Sequence, residues 1–235
     1  MVRLGPGLRF PFSDLSSSKL RPAVVLADCR GRGLGALSAD EQSLRRPSCC
    51  GSLSPLREGP VLVREWRIED AQDLPPLAND RRVRINMRDA FPRPYAAEDA
   101  VRFIAIAHAK SPPTYFAIEA SGRLAGGIGY TLHTDVERVG AEVGYWLGHE
   151  FWGRGIATAA LRAITGHAFA THEELQRLFA VPFASNPASA RVLEKAGYGR
   201  EGTLRKSAIK DGQTLDQWMY AILREEWQAS GGGSV

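Results

Sequence analysis

From Glu142 to Leu161 the chain reads Glu-Val-Gly-Tyr-Trp-Leu-Gly-His-Glu-Phe-Trp-Gly-Arg-Gly-Ile-Ala-Thr-Ala-Ala-Leu. A strand pattern enters a turn carrying Gly153 and Gly155 and passes straight into a helix pattern. Glycine lets backbone N–H groups crowd toward a ligand, and a helix start leaves unpaired donors at a positive dipole end. Such a turn holds an anion, most naturally a pyrophosphate, and Arg154 can add a direct contact. Charge at a helix end contributes ~0.3–1 kcal/mol. Gly-x-Gly-x-Ala alone is a weak signal, because any tight strand-to-helix turn favours glycine. A second motif follows some thirty residues later: Ser185-Asn186-Pro187-Ala188-Ser189-Ala190-Arg191-Val192-Leu193-Glu194-Lys195-Ala196-Gly197-Tyr198.

Periodicity predicts the elements that position these residues. Residues 61–67 alternate like a strand, and 69–79 read as a short helix interrupted at Pro75-Pro76. Residues 98–109 place Val101, Ile104 and His108 at helical spacing, with Ala100, Phe103 and Ala107 beside them. Residues 115–120 and 123–132 are strands joined at Ser121-Gly122, and 140–147 is a further strand. Ile156, Ala160, Leu161, Ile164 and Ala168 form an apolar stripe, marking a helix that begins near Gly155. Residues 177–183 read as a strand and 187–196 as a helix with Pro in its first turn. Strands near 202–209 and 213–221 meet at Asp211-Gly212, a tight-turn signal. The order is mixed α/β, and one layered domain accounts for it.

The two motifs, in this order and at this separation, resemble the GNAT acetyltransferase superfamily of coenzyme A-dependent N-acyltransferases. Ile85-Asn-Met-Arg-Asp-Ala-Phe-Pro-Arg-Pro-Tyr95, Gly144-Tyr-Trp-Leu147 and Phe151-Trp-Gly-Arg-Gly-Ile-Ala-Thr158 are similar to its RimJ/RimL-like ribosomal-protein alanine N-acetyltransferase branch. The resemblance covers residues 61–227 and implies a mixed, mostly antiparallel sheet with splayed central strands and flanking helices. It places the pyrophosphate of acetyl-CoA, a cosubstrate, on the loop and helix start of Trp152, Gly153, Arg154, Gly155, Ile156, Ala157 and Thr158. Trp152 stands where the family carries Arg or Gln, so no polar role is assigned to it. The backbone of Gly144, Tyr145, Trp146 and Leu147 would pair with the pantetheine arm, and Asn186 would bond to that arm near the thioester. Where many members carry a Tyr that protonates the departing thiolate, this chain has Leu193, which makes Ser189 the candidate acid or hydrogen-bond donor.

The implied reaction needs a neutral amine, and amines of pKa ~8 to ~10.4 are largely protonated at pH 7. A carboxylate can take that proton, typically adding ~10²–10⁴-fold. Glu142, thirteen residues before Gly155, matches the family's base, with His149 and Glu150 as alternatives. In the resembling family the 85–98 region walls the acceptor site, which makes Asn86, Arg88, Phe91 and Tyr95 the substrate-binding candidates. The arginines at 81, 82, 84, 88 and 93 read either as a solvated basic face or as part of that wall. Lining the site, they would favour an acceptor with a nearby carboxylate or phosphate. The expected activity is acetyl transfer from acetyl-CoA to a primary amine by direct attack. The amine is a protein N-terminal α-amine or that of a small molecule. The alternatives are a non-catalytic acyl-CoA-binding regulator and an RNA-acting toxin-related fusion.

Composition narrows the classes further. The 235 residues are 44 % hydrophobic and 24 % charged, as in a soluble globular protein. No apolar run approaches the ~20 residues that cross a bilayer. Residues 1–60 hold nine Lys/Arg and five acids, leaving 21 of each sign in 61–235, so charge gives no reason to expect nucleic acid. All three cysteines (29, 49 and 50) lie in the first segment, and the five histidines are scattered without metal-ligand spacing. No Gly-x-Ser-x-Gly elbow occurs. A cytoplasmic protein is expected, with no membrane partner and with a homodimer left open.

Residues 1–60 are expected to be a poorly ordered extension, and 228–235, with Gly231-Gly232-Gly233-Ser234, a flexible tail. Residues 8–27 resemble the opening strands of the MazF/PemK endoribonuclease toxins, with Arg21 at the position that works on RNA phosphate. A barrel does not close from two strands, so this run is read as a remnant or as upstream sequence.

Overall fold

Side-chain alternation builds a single sheet, and two helical layers cover its faces. In a computed structural model the described residues are 56–232. The features expected within 1–55, including the MazF/PemK-like run and Arg21, lie outside the described residues. The strands are β1 (Leu56–Glu58), β2 (Val61–Arg64), β3 (Tyr115–Ala120), β4 (Arg123–Leu132), β5 (Gly140–Leu147), β6 (Arg177–Ala180), β7 (Gly199–Lys210) and β8 (Gln213–Leu223). Their order is β1-β2-β3-β4-β5-β6-β8-β7. Every neighbouring pair is antiparallel except β5 with β6. That is the mixed, mostly antiparallel sheet of the sequence reading.

Three helices, α1 (Asp70–Ala78), α2 (Arg81–Arg84) and α3 (Ala97–His108), cover one face. Trp66, Leu74, Met87, Phe91, Ile104, Tyr115 and Trp146 pack together there as one core. The long α4 (Ile156–Thr171) covers the other face and buries the predicted stripe of Ile156, Ala160, Leu161, Ile164 and Ala168. α5 (Pro187–Lys195) and α6 (Arg224–Trp227) complete the set. No helix among the described residues is long and apolar enough to cross a membrane. Close approach of β5 to β4 requires glycine, since a Cβ on Gly126 would stand 2.1 Å from the Trp146 carbonyl oxygen.

Several boundaries differ from expectation, each for a local reason. Among the described residues a strand, Leu56–Glu58, precedes residue 61, because Gly59 (φ 59°) turns β1 back onto β2. α1 runs through Pro75 and Pro76; the helix is held by the buried Ala71, Leu74 and Ala78 and closes with Asn79 N–H on the Pro75 carbonyl. α2, unforeseen, starts where Asp80 accepts from the Arg82 N–H. On α3 the buried stripe is Ala100, Ile104 and Ala107, while Val101 faces solvent. β6 ends at Ala180, short of the expected 183. Residues 228–232 continue the chain as a π-helical turn, with Ser230 Oγ donating to the Trp227 carbonyl at 2.8 Å.

Under α4, His167 is 8 % exposed and meets Phe116 edge-on at 5.3 Å. Burial, with a smaller contribution from His172, lowers its pKa from 6.5 to about 4. The unfolded chain therefore takes up the proton first, and stability falls as pH drops from 6.5 toward 4, then levels off. The difference amounts to about 3 kcal/mol at full development. Urea unfolding at pH 7 and pH 4.5 should show this loss, and His167→Phe should reduce it. An unchanged pH dependence in that variant would refute the assignment.

Candidate active site

The two central strands part company. β5 and β6 share only Gly140↔Arg177, Ala141↔Leu178 and Glu142↔Phe179. Beyond them β6 stops, while β5 stays paired with β4 through Leu147. The far edge of β5 over residues 143–147 thus has no strand partner among the described residues. A groove of about 370 Å³ opens along it, within the range of small-molecule sites. The end of β6, the turn at 152–155 and the starts of α4 and α5 form its other walls.

At one end of the groove Gly153 (φ 74°) and Gly155 (φ 75°) take left-handed conformations that ordinary side chains disfavour. Gly155 is the N-cap of α4, and no side chain caps this helix. Its first N–H groups, on Ile156, Ala157 and Thr158, lie at the groove wall, as an anion cradle requires. Arg154, Arg191 and Lys195 also line the groove. Arg191 and Lys195 were not foreseen as site residues. Their spacing of four on one helix is the signal that could have shown it. Donors, dipole and cations together suit a polyphosphate. Trp152 lines the groove as well, and its Nε1 donates to the Leu147 carbonyl at 2.9 Å and braces the turn.

α5 opens with Asn186, whose Oδ1 accepts from the Ser189 N–H at 3.2 Å. That cap uses the Asn186 oxygen, while both Asn186 and Ser189 line the groove. Facing them, the Tyr145 hydroxyl donates to the Ser189 carbonyl at 3.1 Å and lies 2.9 Å from Ser189 Oγ. Burial pushes the Tyr145 phenol well above its ordinary value, so it stays protonated and remains a donor. Sequence reading placed Tyr145 here for its backbone and missed the hydroxyl. Leu193, at the family's Tyr position, is fully buried.

Glu142, Gly144 and Trp146 point to one face of β5, and Tyr145 points to the other. Trp146 packs edge-on against Phe91 at 5.9 Å, on the side of α1–α3. Tyr145 meets α5 on the opposite side. The groove therefore passes through the sheet rather than lying on it. Arg88 Nη2 donates to Glu142 Oε1 at 3.0 Å, with side chains 26 % and 12 % exposed. Both line the groove, as does Asn86. Phe91 and Tyr95 do not: they stack at 4.9 Å inside the core, behind the wall they were expected to form. Glu150 pairs with Arg123 at the surface, and His149 packs against Trp152; neither lines the groove. The segment around Arg88 is tied to the β7–β8 turn, where Arg93 binds Asp211 at 2.6 Å and Lys210 binds Asp89 at 2.8 Å.

Comparison with known proteins agrees with this geometry. The Acetyltransferase (GNAT) domain family matches residues 61–199. The putative ribosomal N-acetyltransferase YdaF of Bacillus subtilis is 38 % identical over 88 residues, which are 37 % of this chain and 48 % of that protein. The chain thus spans about half the length of this relative. An uncharacterized N-acetyltransferase, p20, of Bacillus licheniformis is 27 % identical over 71 % of this chain and 94 % of its own. Among solved structures, Mycobacterium smegmatis RimJ in complex with CoA-disulfide aligns with a TM-score of 0.62 and 27 % identity, covering 76 % of this chain and 93 % of that one. With a family match over more than half its length and a sheet that parts at the expected place, the chain belongs to the GNAT acetyltransferase family.

Proposed function

We propose that the protein transfers an acetyl group from acetyl-CoA to the α-amine of a protein N-terminus, without a covalent enzyme intermediate. The observation that carries this reading is the groove through the sheet, with an uncapped helix start on one side and Glu142 on the other. Acetyl-CoA supplies an activated acyl group. The N–H groups of residues 156–158 take its pyrophosphate, and Arg154, Arg191 and Lys195 offset its negative charge. The open edge of β5 offers backbone groups to the pantetheine arm, and Asn186 keeps its Nδ2 donors for the same arm.

Glu142 accepts the proton that the amine sheds as its C–N bond forms. The Tyr145–Ser189 hydroxyl pair turns a proton toward the sulfur as the C–S bond breaks. Leading the two reactants in from opposite faces holds them together at the parting of the strands, which replaces a bimolecular encounter by a positioned one.

The test is thiol release from acetyl-CoA with peptides bearing free Ala or Ser N-termini, beside blocked peptides and small amines. Free peptides should react and blocked ones should not. Release with small amines alone would redirect the acceptor. Silence with acetyl-CoA binding retained would favour a non-catalytic regulator, and silence without binding would overturn the reading altogether.

A further inference from the structure

Arg88 is a cation in direct contact with Glu142, and the described residues use only part of its hydrogen-bonding capacity. Three neighbouring cations are already engaged: Arg93 binds Asp211 and Asp89, Lys210 binds Asp89, and Arg82 binds Asp80 at 2.5 Å. These pairs tie the surrounding segment to itself and to the β7–β8 turn. Arg88 instead lines the groove and, among the described residues, makes one hydrogen bond, from Nη2 to Glu142. A guanidinium carries five N–H donors in a planar fork suited to a carboxylate or phosphate. The Arg88 side chain lines the groove beside Glu142 and is 26 % exposed.

We infer that Arg88 recognises an anionic group on the acceptor, so that the preferred substrate is an amine with an acidic side chain close to it. One hydrogen-bond length on each side of a 3.0 Å pair sets the reach. The amine nitrogen at Glu142 and the acidic oxygen at Arg88 lie within roughly 10 Å of each other. Consecutive Cα atoms are ~3.8 Å apart, so this span covers the first two residues of a peptide. The acceptor is then an N-terminus with Asp or Glu at its first or second position. Arg88 holds the base and the substrate's acid at once, and so fixes the amine's direction of approach.

This inference rests on the N-terminal-amine reading, and the experiment separates the two. kcat/KM is measured for paired peptides, Ala-Glu against Ala-Gln and Ser-Asp against Ser-Asn, in wild type, Arg88→Gln and Arg88→Lys. Wild type should favour each acid over its amide by roughly ten- to hundredfold. Arg88→Gln should bring the ratio near one, and Arg88→Lys should keep part of it, as a point charge does. Loss of the Glu142 contact acts on both members of a pair alike, so the ratio reports acceptor recognition alone. Thermal unfolding shows that each variant is folded. Equal rates for acid and amide in wild type, or a preference that survives Arg88→Gln, would overturn the inference. With no peptide turned over, the N-terminal reading fails, and the ratio passes to free glutamate and aspartate against glutamine and asparagine. A preference for the acids that Arg88→Gln removes supports the inference there, and equal or absent rates overturn it.

Discussion

Glu142→Gln should lower kcat/KM for the acceptor amine by ~10²–10⁴-fold while leaving acetyl-CoA affinity nearly unchanged. Gln keeps the shape of the side chain and still accepts the Arg88 hydrogen bond, but it takes no proton. The cradle at residues 153–158 does not include Glu142, so cofactor binding by calorimetry serves as the internal control. The rate of the variant should climb with pH as the amine loses its own proton. A change of only a few-fold in kcat/KM would remove Glu142 from the mechanism. The remaining candidates named from sequence, Glu150 and His149, do not line the groove.

The second large effect is on stability. Arg64 and Asp70 are 8 % and 7 % exposed and meet through two bonds of 2.8 Å, while Arg64 Nε reaches Glu119 at 2.8 Å. This cluster fixes the start of α1 against β2 and β3. Asp70 Oδ2 also accepts from the Arg67 N–H at 2.7 Å, which sets the turn into the helix. Removing Arg64 leaves the buried Asp70 carboxylate without its cation, so Arg64→Ala should cost about 3–5 kcal/mol, while Asp70→Ala, in which Arg64 keeps Glu119, should cost less. For a domain of this size the Arg64→Ala loss lowers Tm by roughly 10 °C. The double variant should lose less than the sum of the singles, because one unpaired charge is removed with the other. Chemical denaturation of the three variants measures this. An Arg64→Ala cost under 1 kcal/mol would mean that water reaches the pair.

What the sequence made legible follows from how local each signal is. β3, β4 and β5 begin and end where periodicity placed them, because Ser121-Gly122 (φ 53° and 73°) forces the hairpin between the first two. Asp211-Gly212 does the same for β7 and β8. The stripe on α4 was readable because one helix buries one face. Pairings across distance were not. Arg88 and Glu142 are 54 residues apart, and Tyr145 and Ser189 are 44 apart. Each residue was named as a candidate, yet only the packed sheet brings the partners together. Phe91 and Tyr95 went the other way, since two large rings beside Trp146 gain more by burial than by facing a polar channel. The early end of β6 had a local signal in Pro182, which has no N–H to give a strand ladder and which the expected 177–183 strand ran through.

The parting of β5 and β6 also bears on the durability of the protein. The sheet consists of two leaves, β1–β5 and β6 with β8 and β7, whose strands are joined by three residue pairs. A molecule seated between the leaves, as proposed for acetyl-CoA, touches both, so its binding energy adds to the work of pulling them apart. At a hundred times its Kd, such a ligand adds about 2.7 kcal/mol to the free energy of unfolding. Resistance to heat and proteolysis would then rise and fall with the supply of acetyl donor. The lifetime of the protein would then be coupled to the availability of its proposed acetyl donor.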